Sequence, residues 1–78
     1  MLKKLSEIQS GKSVRIHSFI KNDNFLKLME MGCLPGEIIS IEKIAPLGDP
    51  ISIKVAGYLL SLGLNEAETI LVESLINN

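Results

Sequence analysis

The stretch Leu34-Pro35-Gly36-Glu37-Ile38-Ile39-Ser40-Ile41-Glu42-Lys43-Ile44-Ala45-Pro46-Leu47-Gly48-Asp49-Pro50 places a β-branched run between two corners built of Gly and Pro. That composition belongs to a strand held between fixed turns. Pro35-Gly36 suits the two central positions of a type II turn, since Pro presets φ and Gly accepts a positive φ. Ile39 and Ile41 alternate with Ser40 and Glu42, whereas Ile44 falls off this register, which predicts a bulge or the start of the loop. Pro46 and Pro50 donate no backbone bond, so 45–50 is expected to leave the ladder. Asp49 is expected to hold that turn by accepting from backbone amides, with Gly48 and Pro50 shaping it.

On the N-terminal side, Phe25, Leu28 and Met29 fall at i, i+3 and i+4, one apolar stripe of a helix of two to three turns. Lys21-Asn22-Asp23-Asn24 offers its N-caps, and Gly32 stands where a residue without Cβ closes the helix. Earlier still, Val14 and Ile16 alternate with Arg15 and His17, the first strand. The first ten residues read as an extended lead-in followed by one helical turn, ended by Gly11.

On the C-terminal side, Ile51-Ser52-Ile53-Lys54-Val55 shows a clean period of two. Ala56-Gly57 is a two-residue hairpin turn, after which Leu60 and Leu62 face inward and Leu59 and Ser61 outward. Asn65 is expected to cap a turn through Glu66, Ala67 and Glu68, before Ile70 and Val72 form a last strand. Residues 74–78 read as a loosely held tail. The pattern predicts a mostly β chain with short helices: five strands in a small antiparallel barrel, with a helix between the first and second. Closure would remove exposed edges and leave the outside of the barrel as the working surface.

A chain of 78 residues, 46% hydrophobic, allows a single domain over 1–78 with its own core. Eight Lys and Arg against nine Asp and Glu, with no basic run, argue against nucleic acid, which needs several cations on phosphates. Cys33 is the single cysteine, so no internal disulfide or Cys-rich zinc site forms, and a reducing cytosol is the expected compartment. Met1-Leu2-Lys3-Lys4-Leu5-Ser6-Glu7 turns polar too early for a signal peptide, and no apolar run is long enough to span a bilayer. Membrane contact is therefore expected through a partner, without direct insertion.

The order Lys27-Leu28-Met29-Glu30-Met31-Gly32-Cys33-Leu34-Pro35-Gly36, then Ala45-Pro46-Leu47-Gly48-Asp49-Pro50, then Gly57-Tyr58-Leu59-Leu60-Ser61-Leu62 and Glu66-Ala67 resembles the ferrous iron transport protein A (FeoA) family from Leu5 to Val72. The resemblance implies an SH3-like β-barrel in the bacterial cytosol that assists the membrane ferrous iron transporter FeoB, which carries a GTP-binding domain. It implies an accessory or regulatory role with no catalytic residues and no cofactor. Lys27 stands where relatives often carry Arg, which keeps the charge and loses the bidentate fork. Gly63 stands where a second Arg is common, so any contact made there is lost or supplied elsewhere. The same barrel is appended to iron-dependent repressors of the diphtheria-toxin-repressor type.

Cys33 and His17 are the soft and imidazole donors, and neither has a sequence-local partner for a metal site. Cys33 lacks a positioned base to act as a nucleophile. Gly48-Asp49-Pro50 reads as a stiff turn before an anion nest. Ile38, Leu47, Tyr58 and Leu59 are the candidate partner-binding residues, a set of apolar side chains of which Ile38 and Leu59 face away from the core. Such a patch would receive a partner strand, helix or loop, or a second copy. The leading expectation is an adaptor on the cytosolic side of a FeoB-type transporter. The rivals are a protein that binds Fe²⁺ directly as sensor or carrier, and a free-standing repressor module.

Overall fold

The computed structural model describes residues 1–20 and 24–75. Its strands are β1 (Leu2–Lys4), β2 (Ser13–Phe19), β3 (Ile38–Ile44), β4 (Ile51–Val55), β5 (Tyr58–Leu62) and β6 (Ile70–Ser74). Its helices are α1 (Phe25–Glu30) and α2 (Leu64–Ala67), with 3₁₀ turns at Leu5–Glu7 and Pro46–Gly48. The sheet is antiparallel with order β1-β6-β2-β3-β4-β5.

Two expectations are corrected. The strands number six among the described residues, and the sheet is open, since β1 and β5 stand at its two ends without pairing. The extra strand is β1, exposed at all of its positions, so no hydrophobic alternation marks it. Backbone pairing recruits it: Leu2, Lys3 and Lys4 stand opposite Glu73, Val72 and Leu71 of β6. At the other end, Ser74 pairs with Val14 and so belongs to the sheet, while the rest of the proposed tail beyond Leu75 lies outside the described residues.

The inward rows follow the alternation of the chain. Val14 faces Ile39, Ile41 faces Ile53, Ile16 faces Val72, and Ile53 and Ile51 face Leu60 and Leu62. Among the described residues the core is wholly apolar, and each fully buried Ile or Leu contributes about 1.5–3 kcal/mol. Register shifts lie between Ile16 and Ser18 and between Ile41 and Lys43. The second is the bulge that the stray Ile44 announced. A bulge bends and twists its strand, which curls the sheet around its core without closing it.

Helix α1 lays Leu28 fully into that core, with Phe25 and Met29 half-buried beside it. Its end is a Schellman motif: the Cys33 N–H donates to Leu28 O at 3.0 Å and the Gly32 N–H to Met29 O at 3.1 Å. Gly32 supplies the required positive φ, +104°. The motif drives Cys33 into the core next to Leu28. The Glu37 N–H then donates to Leu34 O at 3.0 Å across Pro35-Gly36, and Gly36 has φ +94°, the turn expected there. The proposed caps Lys21, Asn22 and Asp23 lie outside the described residues.

Candidate interaction surface

Ile38 and Leu59 project from the outer face of the sheet, 51% and 66% exposed. Ser40 stands opposite Lys54, and Lys54 opposite Leu59, so one outward row reads Ser40, Lys54, Leu59 across β3, β4 and β5. Ile38 lies two positions along β3, opposite Arg15. The two apolar side chains thus share a face but not a contact. A lysine and a serine stand between them, giving a mixed patch of apolar and cationic groups.

Tyr58 and Leu47 go elsewhere. Tyr58 follows the inward register of β5, and its hydroxyl donates to Met31 O at 2.6 Å, latching the edge of the sheet to the end of α1. The hydroxyl sits over Gly32, where a Cβ would come within 2.6 Å of it. Gly32 is therefore doubly required, for its φ and for the phenol above it. Leu47 lies at the tip of the β3–β4 loop, fully exposed, with φ +71°. The register puts that loop beyond the Ile51 end of β4 while Tyr58 pairs with Val55 at the other, about 13 Å away along the strand.

The loop's acid acts differently from the sequence expectation. Asp49 Oδ1 accepts from the Leu64 N–H at 3.1 Å, so it ties the loop to the first turn of α2. The loop's own closure is made by backbone bonds, Ala45 N–H to Pro50 O at 3.0 Å and Gly48 N–H to Ala45 O at 2.9 Å. The cap of α2 is also not Asn65, which lies exposed inside the helix. Gly63 is the cap residue, and Glu66 Oε1 reaches back to its N–H at 2.9 Å. That is the acidic half of a capping box, and Gly63 fits because its backbone alone is used.

Cys33 is fully buried, and burial first, then the Glu66 carboxylate, push its thiol up to about 11. A thiol so shielded is a poor nucleophile and a poor ligand. His17 is exposed, its Nδ1 2.8 Å from Ser18 Oγ. Among the described residues no three His, Cys, Asp or Glu side chains converge on one point. No helix among them is long and apolar enough to cross a membrane.

One feature escaped the sequence reading. His17, Ser18 and Phe19 of β2, Phe25 and Met29 of α1, and Pro35 line a shallow, mostly apolar groove of about 380 Å³. Phe25 and Met29 carried the helical stripe that signals core, but α1 is too short to bury its whole stripe. Only Leu28 is fully buried, and Phe25 and Met29 are left to line a surface.

The FeoA domain family matches residues 3–74. An FeoA-like protein from Clostridium acetobutylicum is 37% identical and superposes with a TM-score of 0.89 over 99% of this chain and 91% of that one. The iron(II) transport protein A of Clostridium thermocellum is 39% identical, with a TM-score of 0.86 over 94% of this chain and 46% of that one. At 24% identity, where likeness bears on the fold alone, the Stenotrophomonas maltophilia FeoA solved with zinc, a prokaryotic SH3 domain protein, superposes with a TM-score of 0.78 over 91% and 89% of the two chains. Curated proteins contain no match. A family match over nearly the whole chain and a 37% identical relative spanning 99% of it lead to one assignment: the chain belongs to the FeoA family.

Proposed function

We propose that this chain is a non-enzymatic accessory protein of ferrous iron uptake, acting in the cytosol on the GTPase-bearing part of a FeoB-type transporter. The observation that carries the reading is the family match over residues 3–74, together with a 39% identical relative called iron(II) transport protein A. The surface is consistent with an adaptor: Ile38 and Leu59 are held on a rigid sheet beside Lys54 and Arg15, and no cluster of donors for a metal forms among the described residues. A regulator of this kind works by binding one state of its partner better than another.

Calorimetric titration against the cytosolic part of the transporter, loaded with GTP analogue or GDP, tests the reading. Binding is expected to differ between the two nucleotide states. Leu59→Glu is expected to weaken it about 10- to 100-fold, the loss of one buried Leu, while leaving the melting temperature unchanged. Absence of binding in both states refutes the proposal. Anaerobic Fe²⁺ binding at a defined stoichiometry, lost on His17→Ala or Cys33→Ser, would instead establish direct iron handling.

A further inference from the structure

The open sheet leaves two edges, and they are built in opposite ways. Edge strands of soluble proteins are blunted by shortness, lysines, prolines or bulges, because their unpaired N–H and C=O groups are templates for another chain. Strand β1 follows that rule: it is three residues long and carries Lys3 and Lys4. Strand β5 does not. Its sequence Tyr58-Leu59-Leu60-Ser61-Leu62 has no charge and no proline, and its register to β4 is unbroken.

The hairpin determines which of its groups are free. Ala56 and Gly57 have φ +52° and +86°, the two-residue type I′ turn, which makes Val55 and Tyr58 a hydrogen-bonded pair. Bonded and non-bonded pairs alternate from there, so Leu60 and Leu62 bond to β4 while Leu59 and Ser61 turn their N–H and C=O outward. Both residues are exposed.

We propose that this edge is a self-association surface, on which two copies pair β5 with β5 antiparallel about a two-fold axis passing between their Leu60 residues. The edge is its own complement in that register. Leu59 of each copy stands opposite Ser61 of the other, and each such pair exchanges both of its backbone bonds. Leu60 meets Leu60 and Tyr58 meets Leu62 on the inner side, which covers the half-exposed Tyr58 and Leu60. A neutral segment suits this two-fold contact: a charge at position 60 would meet its like, and one at 58, 59, 61 or 62 would be set against an uncharged residue. The nearest outward cation, Lys54, lies one strand away and opposite Leu59, so the two copies hold their Lys54 residues about 16 Å apart, beyond a Debye length of about 8 Å. This pairing does not rest on the transporter reading and is tested with the chain alone.

The test is molar mass by sedimentation and light scattering over a wide range of concentration, with amide exchange at Leu59 and Ser61. The mass is expected to rise from 8.5 kDa towards twice that value, with protection of those two amides rising in parallel. Ser61→Pro removes an N–H that is unbonded in the single chain, at a position where an edge strand accepts proline. It is expected to abolish the concentration dependence, and Ser61→Ala to retain it. A constant mass of 8.5 kDa with concentration-independent exchange overturns the proposal. So does association undiminished in a folded Ser61→Pro chain, or an edge that an extended segment of another protein occupies while the chain alone stays monomeric. Should Ser61→Pro fail to fold, the exchange rates of the two amides in the unaltered chain decide alone.

Discussion

Replacing Gly32 by Ala separates two costs that the structure places at one atom. The backbone cost comes from φ +104°, which an L-residue adopts at about 1–2 kcal/mol. The contact cost comes from the new Cβ, 2.6 Å from Tyr58 Oη. The phenol is the far end of a side chain and can swing aside, so what it loses is its bond to Met31 O, about 1 kcal/mol. Gly32→Ala should therefore destabilise by about 2–3 kcal/mol, each worth about 4–8 °C of melting temperature in a domain this small. Tyr58→Phe alone should cost about 1 kcal/mol, the same bond lost from the other side. In the Tyr58→Phe background the hydroxyl is gone, and the next atom, Cζ, lies at 3.6 Å, an ordinary contact. Gly32→Ala should then cost only its backbone share. Urea titration of the four proteins reads this as a coupling of about 1 kcal/mol. Strictly additive costs would refute the seating of the phenol over Gly32 and with it the latch between β5 and α1.

The remaining predictions are smaller. Because burial and Glu66 raise the Cys33 thiol from 9.0 to about 11, the native state holds that proton more tightly than the unfolded chain. Its contribution to stability is then complete below pH 9.0 and lost as pH rises towards about 11, which urea midpoints across that window will show. Alkylation of Cys33 at neutral pH should require denaturant. Asp49→Ala should remove the bond to the Leu64 N–H, costing about 0.5–1 kcal/mol and speeding exchange of that amide. Ala56→Asn should stabilise by about 0.5–1 kcal/mol, since Asn tolerates φ +52° better than Ala, and a lowered urea midpoint would contradict the I′ turn.

Most of the core was legible along the chain because its periods are local. Val14 and Ile16, Ile39 and Ile41, and Ile51 and Ile53 read as single faces of alternating strands, and all are buried. Of Leu60 and Leu62, read as inward, Leu62 is buried and Leu60 half-buried, and Ile70 and Val72, read as a last strand, are buried. The turns at Gly32, Pro35-Gly36 and Ala56-Gly57 were equally plain, since only certain residues adopt their φ values at little cost. The order of four short motifs also pointed to the FeoA family, which the match over residues 3–74 shows.

What the chain could not reveal is whatever depends on partners distant in sequence. Closure of the sheet was expected because free edges are hazardous, yet whether β1 meets β5 is settled by how far two bulges curl the strands between them. Strand β1 carries no pattern, since exposed residues pair through backbone and backbone is the same everywhere. Tyr58 looked like a member of a surface patch, and the carbonyl that takes its hydroxyl is 27 residues away. Asp49 looked local and instead binds 15 residues onward. Alternation and turn chemistry are written residue by residue and belong to the sequence. The open edge of β5, the phenol over Gly32 and the spacing of Ile38 from Leu59 exist only once the strands lie side by side, because each is a relation between chain segments that the linear order does not make neighbours.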